Sequence, residues 1–475
     1  MSHLHGGFGP PVPLRPHHGG HPRWTAALLI ALSLAVLASA GGLVWAVGQR
    51  LGAKRTATAP VEPAAPARLP AEPIEATAAW HIPAPDLSIF DERVQQGGVW
   101  LYEDTVVRVM PEALVSYALA DGSERWSMPL AAGSNGCTSS SQIDAGRIAV
   151  LSGMNCEYLV VVDLATGEDR ATISLTSTRL KVPYQEPALL GDTVAVGSPL
   201  GGAGFRISDG EQLWWHEPGG RCVETGYTVL DDILVSEVAC GTGCNDLGIC
   251  GYGYAATGLR ATTENGEELW RWEFGHEVEG SQLEIIGVIS VDPLVIHARL
   301  DGTFGGVHRI FVVEDTRNSV LREVGYQKDR HLPPCTVLAT WWCADAVVGG
   351  DYLAVSGMDT VGLSVFDLAT GELVGDVPPE GRSMRPIAMV EDEFLVYRGE
   401  WEDRPGMVVA IDPQTMTQRT VMTLDEDAAL EHDMWGIAGY GVRLVWDTPT
   451  RTLVMAATEI SESARLPETS LLAYR

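Results

Sequence analysis

The stretch VSYALADGSERW, Val115 to Trp126, decides how this chain is read. Apolar residues alternate up to an Asp-Gly pair, and a second short run closes on Trp126. Asp-Gly supplies the positive φ of a tight hairpin turn, and the period-two alternation is that of half-buried antiparallel strands. Versions recur as VVVDLATGEDR (Val160 to Arg170), FRISDGEQLWW (Phe205 to Trp215), LRATTENGEELWRW (Leu259 to Trp272) and SVFDLATGELV (Ser364 to Val374). Two weaker copies, FVVEDTRNSVLREV (Phe311 to Val324) and VVAIDPQTMTQRTV (Val408 to Val421), fill the gaps. The turn positions Gly122, Gly167, Gly210, Gly266, Asn318, Gly371 and Met416 are separated by 45, 43, 56, 52, 53 and 45 residues. That is the length of a four-stranded blade, and blades must stack radially to bury both faces, so the repeat predicts an all-β propeller.

Closure is also legible. The last strand, SLLAYR (Ser470 to Arg475), precedes a turn that never comes, whereas AAWHIP (Ala78 to Pro83) places Trp80 46 residues before Trp126. The N-terminal strand is therefore expected to complete the last blade, which removes the exposed edges that invite aggregation. Seven turns plus this shared blade give eight blades; seven is the alternative if a weak copy is a loop.

Outside residues 80–475 the composition changes. Residues 1–23, rich in Gly, Pro and His, read as a disordered tail; His3, His5, His17, His18 and His21 have no fixed geometry for a metal. Residues 24–49 carry no charge, and as a helix they reach about 39 Å, enough to cross a bilayer. Ala38, Ser39 and Ala40 match a signal-peptidase pattern, but Gly41 to Val47 prolong the apolar run, which favours an uncleaved anchor. Residues 50–79, with Pro60, Pro63, Pro66, Pro70 and Pro73, read as an extended Ala/Pro-rich linker.

Net charge is −30, from 62 acidic and 32 basic residues. Residues 1–80 hold six basic and three acidic side chains, so −33 falls on the propeller. Such a surface is ill suited to phosphate, and nucleic acid is not an expected partner. A hydrophobic content of 45% with 14 Trp excludes wholesale disorder.

The motif, an Asp, a turn Gly and a Trp at fixed spacing, resembles the pyrroloquinoline-quinone-like (PQQ-like) propeller repeat of bacterial membrane-anchored proteins. That repeat is shared by quinoprotein dehydrogenases and by an outer-membrane assembly lipoprotein that carries no cofactor. The resemblance covers residues 80–475, and it implies that Trp80, Trp126, Trp214 and Trp270 pack one blade against the next. For function it implies little, because the repeat hosts enzymes and binding platforms alike.

Eight cysteines fall in short-range groups, as disulfides of an oxidising compartment do. Cys137 with Cys156 and Cys335 with Cys343 are the expected bridges. Cys222, Cys240, Cys244 and Cys250 allow three connectivities, with 222 to 240 and 244 to 250 preferred. Zinc on Cys240, Cys244 and Cys250 is the rival, but the spacing is unusual and no nearby His completes it. Arg50, Lys54 and Arg55 against Arg15 and Arg23 favour a cytoplasmic C-terminal side by the positive-inside rule. The paired cysteines point the other way, to an extracytoplasmic propeller on a single-pass cell-membrane anchor, and we give them precedence.

Enzyme signatures are mostly missing. No two Cys are adjacent, C-x-x-C-H is absent, and neither G-x-S-x-G nor a Walker sequence occurs. GYGYAA (Gly251 to Ala256) lacks a surrounding βαβ unit, and HEVEG (His276 to Gly280) lacks the second His of a zincin helix. Asp425 to Asp427 and Asp231 with Asp232 read as solvated turn charge rather than calcium ligands. The expectation is a non-catalytic binding scaffold in the bacterial envelope, with no catalytic, cofactor or metal residues and a protein or small ligand on the propeller face. The Cys240 to Tyr254 insertion and the Trp341, Trp342, Cys343 segment are the loops that would carry such a face. The alternatives are a PQQ-dependent oxidoreductase and a ligand-sensing ectodomain.

Overall fold

The computed structural model describes residues 68–475 except 86–93, 96–97, 111, 132–136, 178–179, 181–185, 199–200, 218–221, 231, 241–255, 274–282, 301–305, 316–319, 336–342, 359, 381–382, 401–403, 426–428, 436–441 and 461–467. The tail, the apolar segment 24–49 and both candidate recognition loops lie largely outside the described residues. Among those described, no helix is long and apolar enough to cross a membrane.

Eight antiparallel blades form the ring. The first runs Val99–Tyr102, Thr105–Val109, Ala113–Ala118 and Glu124–Pro129. The second has Arg147–Ser152, Tyr158–Asp163 and Asp169–Ser174, with Ser139 bridged to Val150 on its inner side. Four-stranded sheets beginning at Ala188, Cys222, Leu283, Ala346 and Met384 make the third to seventh. The eighth orders Val442–Asp447, Thr452–Ala457, Thr469–Tyr474 and, outermost, the N-terminal strand Ala78–Pro83. Trp80 pairs with Ala473 and His81 with Leu472, so the ring closes as expected with eight blades, not seven.

The hairpin turns follow from their residues. Gly122, Gly167, Gly210, Gly266 and Gly371 all have positive φ, and Met416 in the weakest copy is forced to φ 58°. At Gly122 two demands coincide: φ is +69°, and an added Cβ would lie 2.8 Å from the Trp80 ring. Gly122→Ala should therefore destabilise the protein by more than the about 1–2 kcal/mol of left-handed backbone alone. Gly350→Ala, with φ +55° and open space around the Cβ, should show only that backbone cost. Urea denaturation of both variants tests the difference.

Burial is organised by interface. Among the described residues eight apolar clusters lie one between each pair of neighbouring blades. Between the eighth and first blades, for example, Trp80, Val454 and Ala473 meet Val106, Val115 and Tyr117. This is how a sheet that cannot bury two faces by itself acquires two dry faces.

One boundary is corrected. The linker expected over 50–79 does not stay free to its end, because Ile74–Glu75 pairs in parallel with Met422 and Thr423 on the outer edge of the seventh blade. Leu69 and Ala76 are buried, the Leu69 N–H donates to Glu391, and Arg419 donates to the Pro70 carbonyl. Proline-rich chain is already extended, so an edge strand needs little further ordering.

Candidate functional site

At or just before the start of their first strands, the third to eighth blades carry in turn Glu186, Glu224, Glu284, Asp345, Arg385 and Arg443. In strand register Glu224 faces Val238, Glu284 faces Arg299, Arg385 faces Tyr397 and Arg443 faces Ala456. Glu186 and Asp345 sit just before their strands, at Ala188 and Ala346. The result is a charged belt on the first strands, with four acids on the third to sixth blades and two arginines on the seventh and eighth.

A buried charge is costly unless paired, and these are paired. Glu224 accepts from Tyr227 OH, from Arg260 at 2.5 Å and bonds His216 Nδ1 at 3.0 Å. Burial pushes the Glu224 carboxyl up, but His216, Tyr227 and Arg260 together outweigh it and hold the pKa below the ordinary value. Glu284 accepts from Arg299 Nε at 2.9 Å. Asp345 lies 3.4 Å from Arg385 Nε; burial raises its pKa and the guanidinium only partly offsets that. Arg385 also sits 4.7 Å over the Trp435 ring, which stacks on Tyr397 at 5.1 Å. Burial pulls Arg443 down, against an attraction to Glu186. Beside Arg443 lies a cavity of about 430 Å³ lined by Trp100, Leu101, Gln142, Ile143 and Val445.

One constellation superficially resembles a catalytic triad. His331 Nε2 lies 2.9 Å from Ser364 Oγ, whose proton goes to Asp376 at 2.6 Å. The imidazole must therefore donate to the hydroxyl from Nε2, while Nδ1 lies 3.0 Å from the Gln327 amide nitrogen and 2.9 Å from the Gln327 carbonyl. A His that donates to Ser cannot act as its base, and Ser364 is fully buried, so the trio ties the fifth blade's exit to the sixth.

His297, also fully buried, bonds His308 at 2.9 Å, and burial with the neighbouring His308 and Arg299 lowers its pKa from 6.5 to about 3. The folded state resists a proton that the unfolded chain takes up near pH 6.5, so stability is full above that pH and is lost as pH falls towards about 3. His297→Leu should flatten this acid limb, measured as urea midpoints at pH 7 and pH 4. An unchanged limb would refute the assignment.

No protein-family model and no curated protein matches the chain. Among solved structures, the computationally designed Ika8 protein aligns over 84% of this chain and 99% of its own, at 13% identity and TM-score 0.50. BamB from Moraxella catarrhalis covers 81% of this chain and 98% of its own, at 12% identity and TM-score 0.45. Quinohemoprotein alcohol dehydrogenase from Comamonas testosteroni covers 85% and 76%, at 9% identity and TM-score 0.47. The likeness is one of fold.

The residues singled out from the sequence are distributed around the ring. The indole N–H groups of Trp80, Trp126 and Trp214 donate to Leu119, Leu164 and Glu264 carbonyls of the following blade, and their rings cover Gly122, Gly167 and Gly266. Trp270 is half-buried in the cluster between the fourth and fifth blades, where Trp272, on the same strand face, is the more deeply buried. In the weak fifth copy Arg322 stands where the first, third and fourth copies have Trp126, Trp214 and Trp270, and its guanidinium donates to the Leu368 carbonyl at 2.8 Å. Cys137–Cys156 and Cys335–Cys343 are disulfides. Cys222 and Cys240 face each other in strand register, while Cys244 and Cys250 lie outside the described residues. Among the described residues no group of three or more His, Cys, Asp and Glu could hold a metal. The belt itself escaped sequence reading.

Proposed function

We propose that this chain is a membrane-anchored, extracytoplasmic propeller that binds a partner without catalysing a reaction on it. The observation that carries this reading is the belt: the charges on the first strands are engaged by the chain's own side chains. Pyrroloquinoline quinone is a tricarboxylate and needs cationic partners. Four of the six belt charges are acids; Arg385 lies 3.4 Å from Asp345, and Arg443 is attracted electrostatically to Glu186. That donor set does not fit the cofactor, and no step is derived through it. The single-helix anchor on residues 24–49 and the paired cysteines support the location.

The full chain, purified in detergent and incubated with pyrroloquinoline quinone with and without calcium, should neither take up the cofactor stoichiometrically nor reduce an acceptor dye. Uptake with turnover would establish the oxidoreductase reading instead. Protease added to intact spheroplasts should digest the propeller; full protection would reverse the topology.

A further inference from the structure

The cavity beside Arg443 has a volume of about 430 Å³, within the roughly 300–1,000 Å³ of small-molecule sites. It is bounded by the first strand of the first blade, Val99–Tyr102, by the first strand of the eighth, Val442–Asp447, and by residues 141–143, which lead into the second. Val99, Leu101, Ile143 and Val445 supply apolar walls. Trp100, a further wall, is 4% exposed, and its indole N–H donates to the Ser140 carbonyl at 3.1 Å, so it brings no free donor. Gln142 and Ile143 are exposed, and the cavity opens to solvent past them.

Charge selects the ligand. The propeller carries −33, yet among the described residues no acidic side chain lines this cavity and one cation, Arg443, does. Arg443 is half-buried; burial pulls its pKa down, and the attraction of Glu186 offsets that only in part. A carboxylate in the cavity would complete the compensation, because a guanidinium presents five N–H donors in a fork matched to two carboxylate oxygens. One cation sets one negative charge: a polyanion has a single partner here and meets the field of the acidic propeller with its other charges. The apolar walls in turn require an apolar body on the ligand, whose burial supplies the affinity that a solvent-accessible ion pair lacks.

We propose that this cavity binds a small monocarboxylate with an apolar body, its carboxylate on the Arg443 guanidinium and its body against Val99, Leu101, Ile143 and Val445. Such a site is additional to the partner binding proposed above. The test titrates the full chain in detergent, by calorimetry against empty micelles, with 4-phenylbutyrate, with neutral 4-phenylbutyramide and with succinate, a dianion that lacks the apolar body. 4-Phenylbutyrate should bind with one-to-one stoichiometry, at least about tenfold more tightly than either comparison compound. It should also slow hydrogen exchange at residues 141–143. R443M should abolish the preference for acid over amide. I143E, which places a negative charge at the exposed mouth, should weaken binding of the acid about tenfold and change that of the amide little.

No saturable binding of 4-phenylbutyrate, equal binding of the amide or of succinate, or a preference for the acid that survives in R443M would overturn the proposal. So would slowed exchange elsewhere with residues 141–143 unchanged. If R443M does not fold, I143E decides: Ile143 is 36% exposed, and undiminished acid binding in that variant would overturn the proposal equally. Binding of 4-phenylbutyrate by a protein that also turns over with quinone would leave this site standing and remove the non-catalytic reading. Absence of both binding and turnover would do the reverse, so the two fail separately.

Discussion

Trp80→Ala should lower the unfolding free energy by about 3–5 kcal/mol, the range for emptying a buried Trp site. The ring fills the seam between the eighth and first blades and covers Gly122, and its Nε1–H donates to the Leu119 carbonyl at 2.9 Å. That seam is where the ring is sealed by pairing across nearly the whole chain, so loss of Trp80 weakens the closure itself. Trp80→Phe should retain most of the packing and lose mainly the hydrogen bond, about 1 kcal/mol. Guanidinium denaturation of the full chain measures both. A Trp80→Ala protein as stable as the parent would mean that the N-terminal strand does not close the ring.

Arg385→Leu should cost a similar amount, about 3–5 kcal/mol, because it strands a buried carboxylate. Asp345 is 3% exposed and has Arg385 as its cationic neighbour; burial already raises its pKa, and removing the guanidinium raises it further. A carboxyl with a raised folded pKa favours the fold when protonated and loses that contribution as pH rises. The defect of Arg385→Leu should therefore be largest at neutral pH and shrink towards acid. Adding Asp345→Asn should recover much of the loss, and the coupling between the two changes isolates the pair from the Trp435 contact that Asn cannot restore. No recovery would place the role of Arg385 in its stacking on Trp435.

The architecture was legible because its signals are local. Asp-Gly, Asn-Gly and Thr-Gly announce themselves in the chain, and Trp126 and Trp214 stand at a fixed offset from them. Even the weak copies kept the geometry, with Met416 taking the positive φ that glycine takes elsewhere and Arg322 reaching the carbonyl that tryptophan reaches elsewhere. The belt had no such signal. Glu186 in QEPALL, Asp345 in CADAVV and Arg443 in GVRLVW look like unrelated polar residues until strand register brings them to one level. The start of the propeller was misread for a different reason: proline spacing dominated residues 68–76, although Leu69 and Ile74 were apolar landmarks within it.

The shared eighth blade also imposes an order in time. Ala78–Pro83 is made early, but its partner Thr469–Tyr474 follows only after nearly the whole propeller has been synthesised. At about 5–20 residues per second the first strand waits on the order of 20–80 s for its place in a sheet. The seam that closes the finished ring is thus the last part of it to exist, and until then the nascent chain depends on whatever shields Trp80 from other strands.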